Sequence, residues 1–453
     1  MSAPTHGSLT EYVPHVVFGW DPMITATVIM LMAYAFITTE RINRAIVSLL
    51  GAGLMIFLGV INQRLAIQGI DFNTIFLLIG MMAIVSITSR TGVFQYVATY
   101  AAKAVKANPR ALLIVLAFIT AIFSALLDNV TTVMLIVPIT LLLTDQLKLP
   151  AYPFLFSQIF ASNIGGTATL IGDPPNILIG SAVGLSFTDF LINVGPVSLM
   201  LMVIMTFVFD FIWGRHMKVK VKDQAIIMQY QPREAISDLS LLIKCLFTLT
   251  LVIGGFVFGH GHGFEPGTIA LTGAAFLMLL ECYKYSAEEQ SHKVHRVFKD
   301  VEWETIFFFI GLFIIVYGVE KAGLLELMGK ELLKLTAGDI GMTGYVVLWS
   351  SAILSAIVDN IPFVATMIPL IDSTKEAFGG ESHITSLWWA LSLGACLGGN
   401  GSLIGASANV MVASFAERAG QRISFMKFLA LGFPLMLFTI LIAHIYFMLA
   451  FVK

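Results

Sequence analysis

Two short stretches place a carboxylate and an amide inside otherwise apolar sequence. Asp128-Asn129 interrupts the run "AIFSALLDNVTTVMLIVPIT" at 121–140, and Asp359-Asn360 interrupts a matching run 231 residues later. A carboxylate near the bilayer midplane costs roughly 2.5–3.5 kcal/mol on insertion scales, so such a residue usually faces a cavity and has a task. Around the first pair stand Thr131 and Thr132, around the second Pro362. Two further stretches complete a set of donors and acceptors. "GGTATLIGDPPNI" at 165–177 supplies Gly165, Gly166, Thr167, Thr169, Asp173 and Asn176, with Asn163 just ahead of it. "GGNGSLIGASANV" at 398–410 supplies Gly398, Gly399, Asn400, Gly401, Ser402 and Asn409. The glycines let the backbone unwind and expose carbonyls and helix termini to a solute. Three carboxylates, Asp128, Asp173 and Asp359, stand among these residues with no Lys or Arg, so the expected site favours protons, cations or neutral polar solutes over a bare anion.

Each feature has a plainer use. Asp-Asn at a hairpin tip caps the helix that follows, although capping alone does not explain a carboxylate duplicated at membrane depth. Glycine clusters permit close helix packing, and a lone glycine such as Gly80 reads that way first. Asp173 can hold the Pro174-Pro175 turn. His260-Gly-His262 reads as a solvated loop rather than a metal site, and Cys396 as core packing rather than a thiol ligand. Cys245, Cys282 and Cys396 lie far apart in apolar runs without CxxC spacing, which predicts no disulfide framework.

The elements that position these residues are membrane helices. Of 453 residues, 57% are hydrophobic and 12% charged, and apolar runs repeatedly exceed the ~18 residues that span a bilayer. No Lys or Arg precedes Arg41, so no signal-peptide n-region is expected. The balance of 26 basic and 28 acidic residues gives no sign of nucleic acid as a partner. Full spans are expected at about 22–39, 44–61, 73–90, 189–212, 241–258, 266–282, 303–320 and 427–450. The regions 110–145 and 341–374 are each two short helices long with polar centres, hence re-entrant hairpins. The regions 152–183 and 385–416 are broken by glycine and proline, which is tolerated only where irregular backbone is buried in protein or lines a cavity. Amphipathic segments at 93–107 and 324–335 read as interfacial helices.

The halves repeat each other. "AIFSALLDN" at 121–129 matches "AILSAIVDN" at 352–360, Pro138 matches Pro369, "TIFLLIG" at 74–80 matches "TIFFFIG" at 305–311, and the two broken stretches align at an offset of 233. Five spans per half forces the second half to insert upside down. The expected fold is therefore an all-α polytopic membrane protein of two inverted-topology repeats, each with five spans, one re-entrant hairpin and one broken helix. The expected organisation is an extracytoplasmic segment 1–21, repeat 1 at 22–212, a cytoplasmic linker 213–240 and repeat 2 at 241–453. With both termini outside an inner (plasma) membrane, 20 of the 26 Lys and Arg fall on the cytoplasmic side.

"SALLDNVTTVMLIVPIT" followed by "SNIGGTATLIGDPPNILIGS" resembles the arsenite/antimonite permease and P-protein branch of the ion transporter superfamily, over nearly the whole chain. That superfamily also contains sodium-coupled dicarboxylate and citrate carriers and sodium/proton antiporters. The resemblance implies an elevator-type mobile domain, with the hairpin tips and unwound helices around the substrate. It places Asp128, Asn129, Thr131, Asn163, Gly165 to Thr169, Asn176, Asp359, Asn360, Gly398 to Ser402 and Asn409 there. The dicarboxylate carriers read Ser-Asn-Thr at both tips, where this chain reads Asp-Asn-Val-Thr and Asp-Asn-Ile-Pro, a departure that speaks against dicarboxylates. The leading expectation is efflux of arsenite and antimonite in exchange for protons. Asp128 or Asp359, with Asp173 as a third candidate, carries the proton. The runner-up is sodium/proton antiport or sodium-coupled organic-anion transport. No G-x-x-x-x-G-K-[ST] occurs, and 213–240 is too short for a nucleotide domain, so neither an ATP-driven pump nor a membrane enzyme is expected. The paired hairpins disfavour a channel, and the reading calls for no cofactor. The lipid bilayer is an expected partner, a homodimer is left open, and the resemblance leaves open a separate cytoplasmic ATPase subunit.

Overall fold

A computed structural model describes residues 14, 16–39 and 41–452, so most of the expected 1–21 segment and the terminal Lys453 fall outside the described residues. Among the described residues all regular structure is helical. Eight helices are long and apolar enough to cross a bilayer: Pro22–Thr39, Phe72–Ser89, Pro109–Leu126, Asn129–Gln146, Gly195–His216, Leu239–Phe258, Trp303–Lys321 and Phe425–Phe451. Shorter apolar helices run Arg44–Phe57, Pro266–Cys282, Ile340–Ser355 and Asn360–Asp372. The chain is a multi-pass membrane protein.

Local chemistry sets the ends of these helices. Asn43, Asn62, Asp71, Asn108, Asp238 and Asp339 each accept a backbone N–H of the first turn they precede. Gly92 at φ 80° and Gly323 at φ 87° open the helices Val93–Ala104 and Leu324–Leu335 from the left-handed region, close to the amphipathic segments expected there. Pro138 and Pro369 lie inside the returning helix of each hairpin.

Several expected boundaries move. The span expected at 44–61 closes at Phe57, where the Leu58 N–H turns back onto the Ile56 and Leu54 carbonyls. The span expected from 189 starts instead at Gly195. Gly184 at φ 68° ends the helix Pro174–Val183, and a Ser186/Asp189 capping box starts a separate helix, Phe187–Asn193, bent by 118° from it. In the first hairpin the expected short helices are full-length: each has 18 residues, about 27 Å at 1.5 Å per residue. Those of the second hairpin have 16 and 13 residues. Within 213–240 the chain forms the helix Val221–Gln229 and two short turns.

Two packing motifs organise the molecule. In one, Phe72–Ser89 lies along Pro266–Cys282 and Arg44–Phe57 lies along Trp303–Lys321, so each half supplies a helix to the other's pair. The glycines at the crossings explain the close approach. A Cβ on Gly80 would sit 2.5 Å from the Ala270 carbonyl carbon, and one on Gly311 would sit 2.5 Å from that of Ser48. In the other motif each hairpin packs on the broken helix of its own half, Pro109–Leu126 on Tyr152–Thr167 and Ile340–Ser355 on Glu381–Gly398. There Gly165 stands against the Ala121 backbone and Gly398 against that of Ala352.

Candidate functional site

The site forms where the two hairpin turns meet the two helix breaks. In the first hairpin the turn falls at Leu127-Asp128, and the Asp128 Oδ1 accepts the Thr131 N–H at 2.8 Å. In the second, Asp359 Oδ1 accepts the Ile361 N–H at 3.2 Å. Both tip carboxylates thus cap the returning helices, the plainer use their sequence allowed. Capping leaves Asp359 with a second oxygen in use, because its Oδ2 accepts from Ser407 Oγ at 3.0 Å and lies 3.4 Å from Arg44 Nη1.

The breaks fall at 168–173 and at 399–406, between the helices Tyr152–Thr167 and Pro174–Val183 and between Glu381–Gly398 and Ser407–Arg418. Each is clasped by an asparagine on the helix that follows. Asn176 Nδ2 donates to the carbonyls of Gly166, Thr167 and Thr169 at 3.3, 3.1 and 2.9 Å. Asn409 Nδ2 donates to those of Gly399 and Ser402 at 2.7 and 2.9 Å. Hydroxyls then tie each break to its hairpin. Thr169 Oγ1 donates to the Ala125 carbonyl and Ser402 Oγ to that of Ala356, both at 2.6 Å. Ser124 Oγ reaches the Ser162 carbonyl at 2.6 Å, and Ser355 Oγ that of Ala395 at 2.7 Å. Apart from the bond to the Thr167 carbonyl, these bonds recur in each half at the same alignment offsets, so the sequence repeat is also a repeat of local geometry. Gly172 and Gly405 are fixed by it too. A Cβ at either would press on the opposed glycine carbonyl, Gly166 at 2.6 Å or Gly399 at 2.8 Å.

The centre is a chain of buried amides. Asn129 Nδ2 donates to Asn163 Oδ1 at 3.3 Å, and Asn163 Nδ2 lies 3.1 Å from Asn400 Oδ1 and 3.0 Å from Asn409 Oδ1. From the second tip, Asn360 Nδ2 reaches Asp173 Oδ1 at 3.4 Å. Asp173, Asn163, Asn176, Asn400 and Asn409 are wholly inaccessible, and Asn129 and Asn360 nearly so. Most of this network is satisfied internally. The atoms left without a hydrogen-bond partner are therefore informative, and here they are Asp173 Oδ2, Asn129 Oδ1, Thr132 Oγ1 and Asn400 Nδ2.

The structure thus brings together Asp128, Asn129, Asn163, Asp173, Asp359, Asn360, Asn400 and the glycine breaks. Thr167, Thr169, Asn176, Ser402 and Asn409 instead spend their polar side-chain hydrogens on the backbone, holding the breaks open. Thr131 contributes its N–H to the Asp128 cap. Gly401 packs against Ala356 and Met436. Cys396 is not mere packing: its Sγ donates to Asn176 Oδ1 at 3.4 Å, beside Ser392 Oγ on the same oxygen at 2.7 Å. His260 and His262 lie in an exposed turn. Among the described residues no three His, Cys, Asp or Glu side chains come together as a metal would need.

The residue that sequence reasoning missed is Arg44. It opens the helix Arg44–Phe57, where it looked like the cytoplasmic charge flanking a span. Its guanidinium donates to Ser407 Oγ at 2.6 Å and Thr305 Oγ1 at 3.1 Å, and stacks 5.1 Å from the Phe308 ring centroid. A cavity of about 390 Å³ lies against it, walled by Glu302, Glu304, Asp359, Ser407 and Val130 of the first tip. The expectation of no basic side chain at the site is overturned. The signal lay outside the motifs, in a cation placed at a helix N-terminus where the macrodipole disfavours it.

Comparison with known proteins agrees with this architecture. The model of the citrate transporter family matches residues 34–394. An uncharacterized transporter of Mycobacterium tuberculosis is 40% identical over 427 residues, covering 93% of this chain and 97% of its own. The human P protein is 33% identical over 506 residues, covering 94% of this chain and 59% of its own. The crystal structure of the YdaH transporter from Alcanivorax borkumensis aligns with a TM-score of 0.58 at 13% identity, covering 95% of this chain and 99% of that one, a likeness of fold. On the span of the family match and the extent of the identity, the chain belongs to the citrate transporter family of membrane transporters.

Proposed function

We propose that the protein is a secondary active transporter that exchanges a small, hydroxyl-bearing solute for protons, with arsenite and antimonite efflux the activity the site fits best. The observation that carries this reading is the pair of buried acceptors without a donor, Asp173 Oδ2 and Asn129 Oδ1. An unmet buried acceptor calls for a proton, a cation or a hydroxyl donor. Trivalent arsenic near neutral pH is mostly the neutral trihydroxide, which supplies hydroxyl donors, while Asn400 Nδ2 offers it a donor in return. The acidic balance of the cavity supports the same choice, since Glu302, Glu304 and Asp359 outnumber Arg44 and Arg418 on its walls. In this reading a proton held by Asp128, Asp173 or Asp359 in the empty site is displaced by the solute. Competition for one carboxylate makes the carrier an exchanger.

The transport cycle we propose follows the repeat. Residues 22–212 and 241–453 form two inverted repeats, with both termini outside the inner membrane. The hairpins and broken helices travel together past the crossed pairs of Phe72–Ser89 with Pro266–Cys282 and Arg44–Phe57 with Trp303–Lys321. The recurrence at both breaks of the asparagine clasp and of the hydroxyl ties to the hairpin supports a rigid moving unit.

A second reading, cation-coupled transport of citrate or another organic anion, is favoured by Arg44 at the cavity and by the description of the family. One experiment separates the two. Proteoliposomes loaded with arsenite, or with citrate, are assayed for pH-driven release with and without sodium. Arsenite release driven by a proton gradient, indifferent to citrate and sodium, supports exchange. Sodium-dependent citrate movement without arsenite release replaces it with the second reading.

A further inference from the structure

The two tip carboxylates occupy duplicated positions but unequal surroundings. Asp359 has an ion-pair partner in Arg44 and a hydroxyl in Ser407, which Arg44 also binds at 2.6 Å. Asp128 accepts the Thr131 N–H and has no ion pair among the described residues. The hold on the second hairpin does not stop there. Tyr34 Oη, on the helix Pro22–Thr39, lies 2.9 Å from the Pro362 carbonyl and 2.6 Å from Thr366 Oγ1. Thr305, which binds the other arm of the guanidinium, is itself held at 3.1 Å by Glu302, and Phe308 supports the guanidinium face. With the second hairpin in this position Arg44 has three polar partners and a ring, and it borders the cavity that Asp359 borders. A cation at a helix N-terminus opposes the macrodipole by roughly 0.3–1 kcal/mol, so helix stability does not account for it.

We propose that Arg44 is a positioning residue that makes Asp359, and not Asp128, the carboxylate through which protons are exchanged for solute. The inference rests on the exchange reading given above. An opposite charge within about 4–6 Å favours the charged form of a carboxylate. Arg44 therefore readies Asp359 to lose its proton when solute arrives, and Ser407 orients the oxygen concerned. The charged groups that face the pair are Glu302 and Glu304 from the Trp303–Lys321 side and Arg418 from the half-helix after the second break, with Asp128 and Asp173 from the first half. Among the described residues Arg44 is the one charged side chain in an ion pair with a tip carboxylate.

The test is the pH dependence of the apparent solute KM in proteoliposomes for the wild type, R44Q, R44K and S407A, with R44Q repeated in a D128N background. Removing the guanidinium lets the proton compete at higher pH, so R44Q is expected to move the midpoint upward by about one unit or more, a tenfold change in proton competition. R44K retains the charge and moves it less. S407A moves it in the same direction by a smaller amount, and it serves if R44Q is not recovered folded. The R44Q shift survives in D128N. A wild-type midpoint in both R44Q and S407A overturns the assignment even where uptake is slowed, because a merely structural role lowers folded protein or turnover without moving a midpoint. Loss of the R44Q shift in D128N overturns it as well, since the proton would then reside on Asp128. A wild type that shows no pH-dependent exchange of any solute overturns the exchange reading on which the inference stands.

Discussion

Gly398→Ala probes the close approach that lets a hairpin and a broken helix act as one body. A Cβ at this position would sit 2.5 Å from the Ala352 carbonyl oxygen and 2.7 Å from the Ala352 Cα. Ordinary contact begins near 3.4 Å, so the two helices must separate by about 0.9 Å. The obstacle is helix backbone, in the last turn of Ile340–Ser355, and cannot rotate aside. Overpacking of this kind typically costs about 1–3 kcal/mol. The displacement also moves Cys396 and Asn400, which flank Gly398 and reach Asn176 and Asn163. The expected result is a lower melting temperature in detergent and the loss of most solute exchange per folded molecule. Gly254→Ala is the matched control. It lies within the helix Leu239–Phe258, its Cβ would meet nothing within 4 Å, and replacing a helical glycine by alanine stabilises by about 0.5–1 kcal/mol. If Gly398→Ala melts and transports like Gly254→Ala, the hairpin and the broken helix are not tightly joined.

Other substitutions test separate parts of the account. Asn163→Leu strips partners from Asn129, Asn400 and Asn409 at once, and at about 1–3 kcal/mol for each buried polar group left unmet it is expected to lower the thermal midpoint more than Gly398→Ala; an unchanged midpoint would mean the amide chain is not a structural core. Asp359→Asn is expected to abolish proton movement coupled to solute while folded protein is retained, and Asp128→Asn to keep that coupling, both read by pH-dye fluorescence in proteoliposomes. Gly323→Ala carries only the left-handed backbone cost of roughly 1–2 kcal/mol, because the nearest atom to its Cβ is Met23 Cε at 3.7 Å. Gly92→Ala is expected to melt lower still, since its Cβ would also collide with the Ala235 carbonyl oxygen.

Much of this arrangement could be read from residue order, and the reasons are physical. Turn and break residues are local signals: Asp-Asn after an apolar run, Gly-Gly followed by Asp-Pro-Pro, and glycine before an amphipathic stretch each act within a few positions. The hairpin turns at 128 and 359 and both breaks accordingly fall where these residues stand. The duplication added long-range information, because residues at one offset must occupy like environments. Partners on unrelated helices left no such trace. Arg44 meets Asp359 across 315 residues, and Asn163 meets Asn400 across 237. Thr169, Ser402, Asn176 and Asn409 look like free donors in sequence, but an unwound helix exposes carbonyls that must be satisfied, and these side chains satisfy them.

Proton flux on solute addition tests most directly whether buried carboxylates exchange protons for a hydroxyl-bearing solute. Purified protein in proteoliposomes enclosing a pH-sensitive dye is given arsenite, with sodium present or absent. The expected result is arsenite-dependent proton movement that does not require sodium and that disappears in Asp359→Asn. Silence to arsenite together with a sodium-dependent signal on addition of citrate would contradict it.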